Sequence, residues 1–443
     1  MSKKILVLGL GKTGFSIARY LKSTGQDFMA YDTRGNPPEL EKFKTIYPDE
    51  TVYCHDYPAN LMQQVSKIIC SPGVALHEEI LQEAIQKGIR LENDLDCLMQ
   101  LIQAPVIGIT GSNGKSTVTT LVGEMCQAAG FKTAVGGNLG TPVLDLYHEY
   151  PDAKVWVLEL SSFQLMHMQS LKLKAATILN LSPDHIDYHG SIEAYAAAKQ
   201  RIYENTDMLI YNRDDQETFP KILASAQESF GLSVPQKNQW GLIETPKGLE
   251  IAYENESYIT VSDLKLAGRH NWLNVMAATA LARHVGVPKE VIIKVLKNFS
   301  GLEHRTQWVA CHDGVTFIND SKGTNLGATF AAIEGIGPTV RGKIVLIAGG
   351  QGKGADFSPM RDILAQYVSY VILIGQDAKL LEAQWQGVVP MVHAQSLKDA
   401  VRLASHQAHA GDIVLLSPAC ASLDMFKNYE DRGHQFINEV KGL

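Results

Sequence analysis

The chain is short of cysteine, of aromatic residues, of excess basic charge and of long apolar runs, and most of these shortages remove a class of protein. Six cysteines in 443 residues (54, 70, 97, 126, 311 and 420) lie scattered, with no C-x-x-C pair. That argues against a disulfide frame or a thiolate zinc site and for reduced thiols in a cytoplasm. Lys plus Arg number 40 against 47 Asp plus Glu, a net charge of −7, which speaks against nucleic acid or a membrane surface as the partner. No stretch approaches the roughly 20 apolar residues of a membrane span. The segment Met1 to Leu10 enters a strand directly and is too short in apolar length for a signal peptide. There is no short-period repeat and no low-complexity segment. What is present is an ordinary soluble composition, 45% hydrophobic and 20% charged, long enough for about two to four domains.

The most informative stretch is Val106 to Leu121, Val-Ile-Gly-Ile-Thr-Gly-Ser-Asn-Gly-Lys-Ser-Thr-Val-Thr-Thr-Leu. An apolar strand enters a turn with glycines 108, 111 and 114, and a helical pattern (Val118, Leu121, Val122, Met125) leaves it. Such a loop curls its N–H groups around an anion, with the helix N-terminus adding its positive end. Lys115 is placed to reach the β/γ phosphates of ATP or GTP and the Ser116 hydroxyl to ligate Mg²⁺. The usual G-x-x-x-x-G-K-[ST] pattern is met except at its first glycine, where Ile109 stands.

A second fingerprint opens the chain. The strand Lys4 to Gly9 runs into Gly9-Leu-Gly11-Lys-Thr-Gly14 and a helix, and a further strand from Phe28 ends at Asp32. This G-x-G-x-x-G with an acid about twenty residues on reads as NAD or FAD binding, or more conservatively as a Rossmann-like turn holding a phosphate, with Asp32 facing a polar group of the ligand. The strand Lys67 to Cys70 ends in Ser71-Pro72-Gly73, where ligands of open α/β sheets bind. Downstream, Gly136 to Pro142 is a turn-rich loop, and Val155 to Glu159 puts a carboxylate at a strand end, a hard ligand for Mg²⁺. On residues alone, His185 and His189 read as loop histidines and Lys199 as a solvated helix lysine. Asn271 or a neighbour is placed to cap an Ala-rich helix, or to pair with an adenine edge. In the last third, strands end in Asn319-Asp320-Ser321-Lys322-Gly-Thr324, in Gly352-Lys353-Gly354 and in Ser417 to Asp424. Lys, Thr and Ser at neighbouring strand ends suit the grasping of carboxylates, and strands alternating with helices predict a second open parallel sheet.

The motifs Gly-Ser-Asn-Gly-Lys-Ser-Thr, Leu-Glu-Leu-Ser-Ser-Phe-Gln, Asp-His-Ile-Asp, Ala-Ala-Lys-Gln-Arg-Ile and Gly-Arg-His-Asn-Trp-Leu-Asn occur in that order. Together they resemble the Mur ligase family of bacterial cell-wall synthesis, ATP-dependent amide-forming enzymes. The resemblance covers the whole chain and implies an α/β protein of three domains. These are a Rossmann-like N-terminal domain (1–93), a central phosphate-loop mononucleotide-binding domain (94–298) and a C-terminal Rossmann-like domain (299–443). It also implies that the first fingerprint binds a UDP-sugar, not NAD, through Lys12, Thr13, Asp32, Thr33, Arg34 and Gly73, with Asn138 and Ser161 at the sugar-peptide end.

For ATP the resemblance implies Gly111, Ser112, Asn113, Gly114, Lys115, Ser116 and Thr117 at the phosphates. Asn271 and Asn274 go to adenine, Asp320 to the ribose and Arg305 to the transferred phosphate. One Mg²⁺ falls to Ser116 and Glu159, and a second to His185 and to Lys199 as a carbamate. Within the family the last third most resembles the D-glutamate-adding members, with Thr324, Lys353, Ser422, the Leu423 amide and Tyr429 in the amino-acid pocket; Tyr429 stands where phenylalanine is expected. The implied reaction joins D-glutamate to UDP-N-acetylmuramoyl-L-alanine through an acyl phosphate, in the cytoplasm, by a monomer. The catalytic set is Lys115, Lys199, His185 and Arg305. Rivals are a sibling ligase adding another amino acid, an NAD-dependent dehydrogenase, which leaves Lys115 and Glu159 unused, and a nucleotide switch or assembly ATPase.

Overall fold

The computed structural model describes residues 3–74, 78–169, 171–182, 186–222, 226–266, 268–352 and 354–443. Strands and helices alternate through most of the chain, and the strands form three sheets of five, nine and six strands. The chain divides into two compact units, one of residues 1–243, 252–257 and 276–292, the other of 244–251, 258–275 and 293–443.

The first sheet contains β1 (Lys4–Leu8), β2 (Phe28–Asp32), β3 (Val52–Cys54), β4 (Val65–Cys70) and β5 (Arg90–Asn93). Its order is β3-β2-β1-β4-β5 and every pairing is parallel. Crossover helices cover both faces of a parallel sheet, so its central strands are largely apolar; all five residues of β2 are buried. The winding reverses at β1, and the crevice outside the ends of β1 and β4 is where such a sheet binds ligand. Gly14 shows how tightly that turn is drawn: a Cβ there would stand 1.8 Å from the Gly9 carbonyl oxygen. The predicted helix after this turn is longer than its apolar stripe, Lys12–Ser23, because its polar first turn carries no hydrophobic signal. The short strands β3 and β5 also escape the periodicity, β3 being only three residues long and β5 mostly polar.

The nine-stranded sheet contains β6 (Val106–Thr110), β7 (Thr133–Gly137), β8 (Val155–Glu159), β9 (Ala175–Ile178), β10 (Leu209–Asn212), β11 (Gln227–Phe230), β12 (Gln239–Thr245), β13 (Gly248–Tyr253) and β14 (Glu256–Thr260). The order β14-β13-β12-β11-β10-β9-β6-β8-β7 sets β6 between β9 and β8, both parallel to it. β6 is buried at every residue, and its carboxyl end delivers the glycine loop. Gly136 and Gly137 belong to β7 and are not part of the turn-rich loop expected there. The Ala-rich helix is Arg269–His284, so Asn271 lies inside its first turn and does not cap it.

The third sheet contains β15 (Gln307–His312), β16 (Val315–Asn319), β17 (Ile344–Gly349), β18 (Val368–Ile374), β19 (Met391–His393) and β20 (Ile413–Leu416), in the order β15-β16-β20-β17-β18-β19. The expected parallel sheet carries one antiparallel edge, β15 against β16, a tight return over Asp313 and Gly314. β20 lies between β16 and β17, so the three polar strand ends singled out in the sequence emerge side by side.

Candidate active site

The glycine loop is fixed from below before any ligand is considered. The Ser112 amide donates to the Asn180 carbonyl at 2.9 Å. Asn180 also accepts from the Asn113 amide at 2.8 Å and donates to the Asn113 carbonyl at 3.1 Å. Gly114 caps the helix Lys115–Ala128 at φ +84°, a left-handed conformation that costs glycine nothing. The Lys115 ammonium lies back over the loop, donating to the Gly111 and Ser112 carbonyls at 2.8 Å each. Thr117, in the helix's first turn, is half-buried.

Glu159, at the end of β8, is 3% exposed. Its carboxylate accepts from the Ser116 hydroxyl at 2.7 Å and from the Asn138 amide at 2.8 Å. Two oxygen donors at that spacing suit a hard cation, since octahedral Mg²⁺ with ligands near 2.1 Å places adjacent oxygens roughly 3 Å apart.

Lys199 is not the solvated lysine that its helix pattern suggests. It is 2% exposed, donates to Thr110 Oγ1 at 3.2 Å and to the Gly111 carbonyl at 3.0 Å, and sits 4.7 Å from the centre of the Tyr195 ring. Tyr195 was missed by sequence reasoning. Its hydroxyl lies 3.1 Å from Ser112 Oγ, so it props both the lysine and the loop. The available signal was its position four residues before Lys199, on one helix face. Lys115, Asn138, Ser161, Ser162, Phe163, Tyr195 and Lys199 line a cleft of about 90 Å³. His185 lies outside the described residues.

A larger cleft of about 550 Å³ takes in all eight residues expected to meet the UDP-sugar: Lys12, Thr13, Asp32, Thr33, Arg34, Gly73, Asn138 and Ser161. Burial works against the Asp32 charge, but the Arg34 guanidinium and the Leu10 and Arg34 amides hold its carboxyl below the usual range. Asp32 thus shapes the turn and presents Arg34 to the cleft. Asn138, Ser161 and Phe163 line both clefts. Ser161 is held by a capping box with Gln164 at the head of the helix Ser162–His167.

In the other unit, Asn271 and Asn274 are buried and joined, the Asn274 amide donating to Asn271 Oδ1 at 3.1 Å. Beside them burial pulls His270 down to about 4. Arg305 is exposed between two left-handed residues, His304 (φ +63°) and Thr306 (φ +40°). Asp320 is 8% exposed and accepts from the Ser417 hydroxyl at 2.6 Å and the Thr306 amide at 3.1 Å; burial raises it to about 7. It therefore anchors the turn that carries Arg305. Lys322 stands 3.8 Å from the centre of the Tyr429 ring, and burial lowers its pKa. Thr324 is half-buried, Ser422 buried and Leu423 65% exposed, while Lys353 lies outside the described residues.

Arg432 also escaped sequence reasoning. It is fully buried and ties two strand-end loops together, donating to Ser321 Oγ at 3.0 Å, to the Ser321 carbonyl at 2.9 Å and to the Cys420 carbonyl at 3.2 Å. Burial lowers it to about 10. Its signal was its place on the buried stripe of the helix Tyr429–Lys441 with Phe436 and Val440.

Parallel sheets, a phosphate loop facing a strand-end carboxylate and an adjoining cleft at a Rossmann-like turn define an α/β protein of the nucleotide-binding class. The chain belongs to the Mur ligase family. Family models match as the Mur ligase MurD-like N-terminal domain over residues 3–92, the Mur ligase middle domain over 109–282 and the Mur ligase glutamate ligase domain over 304–420. The chain is similar to a protein of Legionella pneumophila (strain Lens), 50% identical over 441 residues, covering 99% of each chain. It is 46% identical over 439 residues to one of Pseudomonas aeruginosa, covering 99% of this chain and 98% of that one. Both are named UDP-N-acetylmuramoylalanine–D-glutamate ligase. Among solved structures, a UDP-N-acetylmuramoyl-L-alanyl-D-glutamate–2,6-diaminopimelate ligase shares the fold at TM-score 0.58 and 18% identity, over 94% of this chain and 87% of that one. A pseudomurein peptide ligase type C from Methanothermus fervidus does so at 0.56 and 18%, over 99% and 100%.

Proposed function

We propose that this chain is an ATP-dependent ligase that joins D-glutamate to UDP-N-acetylmuramoyl-L-alanine in peptidoglycan precursor synthesis. The carrying observation is the shared wall: Asn138, Ser161 and Phe163 border both the cleft of the Rossmann-like turn and the cleft that holds Lys115 and Lys199. A sugar nucleotide seated in the first would bring its peptidyl carboxylate to the second. The choice of D-glutamate is supported by the names of relatives that match end to end.

A carboxylate repels amines, so it must first be activated. Its oxygen attacks the γ-phosphorus, ADP departs, and an acyl phosphate forms. The glutamate amine then adds to the carbonyl, and the tetrahedral intermediate expels phosphate. Lys115 would neutralise charge on the moving phosphoryl group, as would Arg305. Ser116 and Glu159 would hold one Mg²⁺, and His185 with a Lys199 carbamate a second; the ions would supply charge neutralisation at the phosphates. A carbamate would turn the buried Lys199 into an anionic oxygen ligand. Asn271, Asn274 and Asp320 are the residues proposed for the nucleoside, and Thr324, Lys353, Ser422, Leu423 and Tyr429 for the amino acid. Among the described residues no helix is long and apolar enough to cross a membrane; a cytoplasmic monomer is the reading proposed.

The test is phosphate release from ATP with UDP-N-acetylmuramoyl-L-alanine against a panel of D- and L-amino acids. Release and amide product with D-glutamate alone are expected. Equal turnover with a diamino acid would assign the chain to a sibling activity.

A further inference from the structure

His189 lines neither cleft, yet it touches three of the smaller cleft's walls from behind. Its Nε2 lies 2.9 Å from Ser162 Oγ. Its ring stacks on Phe163, centroids 5.5 Å apart and planes at 22°. It meets Tyr195 edge-on at 5.3 Å and 63°. Ser162, Phe163 and Tyr195 all face the cleft shared with Lys115 and Lys199. They come from two helices, Ser162–His167 behind the Ser161 cap and Ile192–Gln200 carrying Tyr195 and Lys199. His189 closes a third, short helix, Ile186–His189, and the chain then turns sharply at Gly190 (φ +81°) into the Lys199 helix. The Ser162 side chain is 2% exposed, and a hydroxyl so buried is costly to leave without a partner.

We propose that His189 is a positioning residue for phosphoryl transfer, setting the gap between the Ser161–Phe163 wall and the Tyr195–Lys199 helix. The inference rests on the ligase reading above. Reacting atoms must meet at ~3–3.5 Å, and a displacement of ~1 Å can cost ~100-fold in rate. A residue that sets a gap therefore acts on kcat more than on the binding of ATP.

The variants separate the bond from the ring contacts. His189→Phe keeps the stack and deletes the bond to Ser162; His189→Gln keeps a hydrogen-bonding amide near the Nε2 position and deletes the ring; His189→Leu removes both. Steady-state kinetics with ATP, D-glutamate and UDP-N-acetylmuramoyl-L-alanine are compared with wild type, alongside thermal denaturation. For His189→Leu, kcat should fall ~10- to ~100-fold while KM for ATP stays within about twofold, and His189→Gln should recover part of the loss. Ser162→Ala and His189→Phe should be non-additive when combined, because each removes the same bond. Wild-type kcat in His189→Leu, or a loss in every parameter that follows a fall in Tm, overturns the proposal. A wild-type chain that releases no phosphate with this substrate pair overturns the ligase reading and the proposal with it.

Discussion

At the scale of single residues, one kind of side chain was readable and another was not. Lys115, Ser116 and Glu159 announce themselves because a phosphate loop and a strand-end acid require their residue types at fixed spacing. The geometry brings Ser116 and Glu159 to 2.7 Å. Lys199 was legible only through family likeness: helical periodicity cannot tell a lysine on a buried face from one in solvent. Lys115→Ala should lower kcat by at least ~100-fold, as loss of a charge partner to the moving phosphoryl group does; near-normal turnover would remove Lys115 from the mechanism. Lys353→Ala should raise KM for D-glutamate far more than KM for ATP, and an ATP-specific defect would place Lys353 elsewhere.

At the scale of elements, the turn of β1 and the junction after β5 carry testable strain and charge. Gly14→Ala would drive a methyl group into the Gly9 carbonyl, 1.8 Å away. It should lower Tm and weaken UDP-sugar binding together, and unchanged binding by calorimetry would detach that turn from the ligand. Asp94 begins the helix Asp94–Leu101, is fully buried, and leaves Oδ1 without a hydrogen-bond partner. Burial lifts its carboxyl from 3.8 to about 7. The folded chain then holds a proton that the unfolded chain has released between those two values. This contribution to stability is complete below the unfolded pKa, declines as pH rises towards the folded one, and is level above it. Asp94→Asn should match wild type near pH 4 and exceed it in Tm at pH 8. A wild-type slope that survives the substitution would assign it to another group, Asp320 being the first candidate. Most elements were legible from buried runs; β3, β5 and the antiparallel β15 were not, because short or half-polar strands are specified by their neighbours.

At the scale of the whole molecule, the decisive behaviour is coupling between substrates. ATP should yield phosphate only when both the sugar nucleotide and D-glutamate are present, with one ADP and one amide product per turnover; hydrolysis of ATP in the absence of both substrates would favour a switch or assembly ATPase. The two fingerprints, the alternation of strands and helices and the order of the motifs were written in local residue patterns, because glycine loops and buried parallel strands constrain chemistry over a few neighbouring positions. Tertiary structure alone decided that Asn138, Ser161 and Phe163 join two clefts, that Asp32 is spent holding Arg34, and that Lys199, Tyr195 and Arg432 face inward. Those outcomes depend on which distant segments pack against each other, and burial is a property of that packing rather than of any stretch of chain.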